Sequence, residues 1–154
     1  MKKIISSLLT LCLVLSLPGL VTGAMFLIFA AVSDDRADKT EVFEFVQEKE
    51  YELLEAIESG DFSAFENKGF IKNIDATEPA VDFSCGGAGF GSGTSYVGFY
   101  YSPNNSLTAA WCAPPSSDSL IPSGDGFRWQ EPGGDNRYYT EHICGNFYYY
   151  EASF

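Results

Sequence analysis

The sequence predicts an α+β fold: an N-terminal transmembrane helix, then one amphipathic helix packed on a small antiparallel sheet of about four to five strands. Three observations carry this. Ile4–Val32 is an almost wholly apolar run without a charge. From Lys39 to Ser59 apolar residues recur at the helical period, and after Gly69 that period gives way to short aromatic segments of strand character. A helix followed by strands places the helix on one face of a single sheet.

The apolar run comes first. A span needs about 20 apolar residues to cross a hydrocarbon core of roughly 30 Å, and Ile4–Val32 exceeds that. Lys2 and Lys3 precede it, and Asp34, Asp35 and Asp38 follow it. The positive-inside rule then holds the N-terminus in the cytoplasm and sends the rest out. The competing reading is a cleaved signal peptide, with Ile4–Leu17 as its apolar core, Pro18-Gly19 as its helix breaker and Val21–Ala24 as the cleavage site. Met25–Phe29 continues the apolar run past that cut, which favours an anchor. The chain divides accordingly into an anchor or signal peptide over 1–33 and an extracytoplasmic domain over 34–154. The domain is held at the cell membrane by a single pass or, in the competing reading, secreted.

Charge narrows the partners. The chain carries −12, both anchor-side lysines lie before Ser33, and all 21 acidic residues lie after it, so the outer part holds 7 basic against 21 acidic residues, or −14. Such a domain repels phosphate backbones and anionic headgroups. Nucleic acid is excluded as a partner. The membrane is met through the N-terminal helix alone.

Within the domain, Phe43, Val46, Leu53, Leu54 and Ile57 fall on one helical stripe, with Glu50 among them. Gly60 is a natural stop, and Asp61 a natural cap for a shorter helix over Phe62–Lys68. Phe70–Ile74 and Ala80–Cys85 read as short extended segments. A glycine patch, Gly86–Gly93, follows, and then a strong strand over Ser95–Ser102. Ser106–Gly124 reads mostly as loop. Gly126–Glu131, Arg137–Ile143 and Phe147–Phe154 read as further strands.

Two phrases, Tyr96-Val97-Gly98-Phe99-Tyr100-Tyr101-Ser102-Pro103 and Phe147-Tyr148-Tyr149-Tyr150-Glu151-Ala152-Ser153-Phe154, flank Gly124–Trp129 and Asp135–Thr140. This order resembles a group of small bacterial single-pass, membrane-anchored proteins. The resemblance covers the anchor and roughly the last half of the chain. It implies an anchored, extracytoplasmic domain and no particular activity.

Catalytic constellations are sparse. The glycine patch lacks the last glycine of a dinucleotide fingerprint and is followed by a strand, not a helix. His142 is the single histidine, and no Gly-x-Ser-x-Gly elbow accompanies it. Zinc-ligand spacing is absent, so no cofactor or metal is expected. Three cysteines follow the anchor. An up-and-down strand order brings Cys112 and Cys144 to the same end, which predicts a disulfide between them, with Cys85–Cys144 the alternative if the strand order is not sequential. What the domain has in surplus is aromatic: 16% of the chain, including 9 Tyr and 13 Phe, enough to give both faces of the last strand large rings. Alternation puts Phe147 and Tyr149 on one face and Tyr148 and Tyr150 on the other. One set faces the helix. The other, taken as Phe147 and Tyr149 and joined by Trp129, is expected to bind an envelope protein or glycan. The expectation is a non-catalytic binding or accessory domain. The alternative is a hydrolase using His142 or a pair of loop carboxylates such as Asp125 and Asp135.

Overall fold

The computed structural model describes residues 34–66, 69–76, 80–89 and 93–154. The expected anchor or signal peptide lies outside the described residues. Among them, no helix is long and apolar enough to cross a membrane.

Helix α1 spans Lys39–Ser59, the range its period predicts. Asp38 caps it, its carboxylate accepting from the Thr40 amide at 2.8 Å. Gly60 ends it at a φ of 70°, a left-handed conformation that glycine adopts without strain. The buried stripe is Val42, Val46, Leu53 and Ala56, rotated slightly from the sequence reading. Phe43, Phe45, Leu54 and Ile57 flank it, half-buried. Where a second helix was expected, the described residues form a turn that drives Phe62 against Phe83 and Phe65 against Phe45.

Seven antiparallel strands form the sheet, not four or five: β1 (Asn73–Asp75), β2 (Val81–Ala88), β3 (Ser95–Tyr101), β4 (Ile121–Ser123), β5 (Gly126–Gln130), β6 (Arg137–Cys144) and β7 (Phe147–Ser153). Their spatial order is β1-β2-β3-β7-β6-β5-β4. The strands therefore form two meanders, β1–β3 and β4–β7, joined where β3 pairs with β7 from Ser95↔Ser153 to Tyr101↔Phe147. Strand β4 was read as loop. Its pairing with β5 closes through Gly124-Asp125, with Gly124 at a φ of 62°, and Pro122 is tolerated because β4 is an edge.

The sheet is buried on both faces. The helix lies over β6 and β7, and beneath it pack Phe83, Phe99, Phe147, Tyr149 and Ile143. On the opposite face Tyr100, Tyr138, Tyr148 and Tyr150 form a second core with Ala110, Cys112 and Ala152, closed by flanking residues such as Leu107, Ala109 and Leu120 of the β3–β4 connection. Two expectations fall here. Phe147 and Tyr149 are 0% and 1% exposed and lie under the helix, so they offer no partner surface, while Tyr148 and Tyr150 are core as well. The Cys112–Cys144 disulfide is not formed, and Cys85, Cys112 and Cys144 are free thiols. Cys144 packs with the helix-side core and Cys112 with the other, so the sheet stands between them. The strand directions behind that pairing hold, since β3 and β6 both run antiparallel to β7; what fails is the face on which each cysteine packs.

Candidate functional site

The helix covers only part of its face of the sheet. Along β7 the residues on that side are Phe147, Tyr149, Glu151 and Ser153. The first two are buried, but Glu151 is exposed and Ser153 half-buried, because the strand runs on past the start of the helix. The register extends this uncovered strip across five strands. One row reads Ser95, Ser153, Arg137, Gln130. The next reads Val97, Glu151, Tyr139, Arg128, Ile121. Both rows line a groove of about 700 Å³, and Arg36 closes it from the segment before the helix.

Arg36 is placed there by backbone pairing. The Asp35 and Ala37 amides donate to the Gly87 and Cys85 carbonyls, which lays this segment along β2. Gly86 makes the approach possible: it sits at a φ of 108°, and a Cβ there would lie 2.2 Å from the Asp35 carbonyl oxygen. Arg36 Nη1 then donates to Ser95 Oγ at 3.2 Å.

The electrostatics of the groove run against those of the chain. Arg36, Arg128 and Arg137 are its three arginines, and all three line this one surface. Arg128 and Arg137 are exposed diagonal neighbours on adjacent strands, a relation that puts them about 7–8 Å apart. Neither forms an ion pair among the described residues. The two acids nearest are engaged. Glu151 accepts from the Tyr149 hydroxyl at 2.8 Å, and burial followed by that carboxylate pushes the Tyr149 phenol up, so it stays a donor. Glu141, in the next row beneath the helix, is held by Lys39 and the Tyr139 hydroxyl. Burial works to raise its carboxyl, but those two donors outweigh it and hold the group below the usual range. Three guanidiniums, each a planar fork of donors, with Gln130 and three serines beside them, suit an incoming carboxylate or phosphate.

Of the residues singled out in the sequence, only Trp129 borders the groove, and its half-buried ring packs on the opposite face with Tyr138 and Ala152. His142 is exposed, its Nε2 within 2.9 Å of the Gly145 carbonyl and its ring edge-on to Tyr148, which gives it a part in the β6–β7 turn. Asp125 and Asp135 lie beyond opposite ends of β5. A five-residue strand separates them by roughly 17 Å, well outside the separation of a hydrolytic carboxylate pair. The arginines were passed over because they lie far apart in sequence and their charge was outnumbered. Alternation within Arg128-Trp129-Gln130 and Arg137-Tyr138-Tyr139 was the available signal.

Among known proteins, no family model, no curated protein and no solved structure matches this chain.

Proposed function

We propose that the chain is a membrane-anchored, extracytoplasmic, non-catalytic binding domain of the cell envelope, and that the arginine groove is its working surface. The observation that supports this is the convergence of all three arginines on one groove in a domain of net charge −14. Cations scattered for solubility would not collect there. The surrounding negative field also selects the ligand. An extended polyanion such as nucleic acid is repelled as a whole, whereas a single carboxylate or phosphate on a mostly neutral partner enters and is gripped locally. Ile121 offers apolar contact beside the charge. The anchor follows from the apolar run and its flanking charges.

Titration of the full-length chain with glutamate-containing peptides and with glycerol phosphate tests this. Saturable binding that weakens with salt is expected. It should fall at least tenfold in Arg128→Gln/Arg137→Gln, with the melting temperature unchanged, because both side chains are exposed. Absence of binding to either anion, or equal binding by the double variant, overturns the reading.

A further inference from the structure

A second cavity lies on the other face of the sheet, where the segment after β3 folds back over β2. It has a volume of about 440 Å³. Its walls are fixed by short-range bonds. The Ser102 amide donates to the Asn146 carbonyl at 2.9 Å, Ser102 Oγ accepts from the Ser106 amide at 2.8 Å, and Asn146 Nδ2 donates to the Pro103 carbonyl at 3.1 Å. The cavity therefore has its shape before anything binds.

Its floor holds Asp82, a carboxyl 6% exposed. Oδ1 accepts from the Tyr150 hydroxyl at 3.0 Å. Tyr150 reaches it because the paired residue on β3 is Gly98: a Cβ there would stand 2.7 Å from the phenol oxygen. Oδ2 is the one buried side-chain nitrogen or oxygen among the described residues with no hydrogen-bond partner. Leaving a buried acceptor unsatisfied costs about 1–3 kcal/mol. That cost is met when a donor enters the cavity Asp82 lines. Around it stand Ser102, Asn104, Ser106 and Thr108, and Trp111 is 56% exposed while lining the same space. Trp111 is held in place by its indole N–H, which donates to the Tyr150 hydroxyl at 3.2 Å.

We propose that this cavity is a saccharide-binding site, in which Asp82 Oδ2 takes a hydrogen bond from a sugar hydroxyl and the Trp111 ring packs against the apolar face of the sugar. The inference is independent of the arginine groove. A neutral polyol fits better than a cation, because no three metal-ligating side chains come together among the described residues. Burial also raises the Asp82 carboxyl to about 7 against the pull of Tyr150 and of the Trp111 backbone amide, so the group is partly protonated at neutral pH. A sugar hydroxyl both donates and accepts, and satisfies either form. An exposed tryptophan beside hydroxyl and amide groups completes the amphipathic surface that a pyranose ring presents in reverse.

The test is a titration of the full-length chain, in a detergent without a sugar headgroup, with N-acetylglucosamine, its dimer, maltose and ethanolamine, followed by isothermal titration calorimetry. Saturable binding of at least one saccharide is expected, abolished in Trp111→Ala, about tenfold weaker in Asp82→Asn and unchanged in Tyr51→Ala, an exposed position on the helix. Circular dichroism separates lost binding from lost folding. No saturable saccharide binding, equal binding by Trp111→Ala, or binding of ethanolamine alone overturns the proposal.

Discussion

On the helix side of the sheet, Phe147 and Tyr149 meet a regular element whose backbone bonds are made internally. On the other side, Tyr148 and Tyr150 meet an irregular segment whose carbonyls and side chains need partners. The residue types follow. Beneath α1 the rings are mainly phenylalanine, with Phe83 stacked on Phe99 at 4.5 Å between centroids and an angle of 5°. Opposite them the rings are tyrosines, two of which fasten the cover. Tyr138 donates to the Leu107 carbonyl at 3.1 Å and Tyr148 to Asn105 Oδ1 at 3.0 Å, while Tyr100 bonds within the sheet, to Thr140 Oγ1 at 2.9 Å. A helix can close a core by hydrophobic contact alone. A loop has to be tied down as well, since buried backbone groups without partners are costly.

The largest effect that would break this contrast is on the helix side. Phe99→Ala should destabilise the domain by about 3–5 kcal/mol in urea unfolding. Tyr100→Phe, one residue along and on the loop side, should lose only a hydrogen bond, about 1 kcal/mol. Similar losses from both would mean that the hydroxyls matter as much as the packing.

Asp82 gives the loop side a pH signature opposite in sign to that of Glu141 on the helix side, whose carboxyl is held below the usual range. The Asp82 carboxyl is raised from 3.8 to about 7 in the fold, chiefly by burial. Between those values the folded chain keeps a proton that the unfolded chain has released, so stability falls as pH rises. The contribution is complete below about pH 4 and is lost by about pH 7, at a slope near 1.4 kcal/mol per unit in between. Asp75, Tyr150 and Cys112 are the titratable neighbours. Thermal melts of the wild type and of Asp82→Asn should diverge by about 2–3 kcal/mol between pH 4.5 and 6.5. Parallel curves would place the carboxyl in a wetter site.

The smallest effect concerns the charged contact at the start of the helix. Lys39 reaches Glu141 with its side chain still partly exposed, so Lys39→Met should cost only about 1 kcal/mol by equilibrium unfolding. A larger loss would show that the helix side, too, depends on a polar tie.

This contrast also explains what could be read from the sequence. The helix showed itself through period, cap and stop, and the boundaries Lys39 and Ser59 agree with the structure. Strands β3, β6 and β7 showed themselves through aromatic runs. The loop cover had no period to betray it. With the cover invisible, one aromatic face of β7 looked like a binding surface and was assigned to Phe147 and Tyr149, yet those two lie under the helix while Tyr148 and Tyr150 lie under the loop. Strand order was equally hidden, because pairing of β3 with β7 is set by packing on two faces and not by any local signal. The misplaced cysteine pair descends from the hidden cover, because Cys112 lies in it, on the far face of the sheet from Cys144. The arginine groove needed both the strand order and the register before its three residues could be brought together.

The position of β7 has a kinetic meaning. It is the last of the seven strands in sequence and the fourth across the sheet. Until it arrives, the β1–β3 meander and the β4–β6 hairpins each expose an unpaired edge, and neither core has a floor. Pairing between β3 and β7 is long-range, which makes it slow to form, and open edges invite the wrong neighbour. A chain emerging from synthesis N-terminus first would therefore wait, half-built, for its final strand. The seven residues Phe147–Ser153 act as a latch that decides when the domain exists at all.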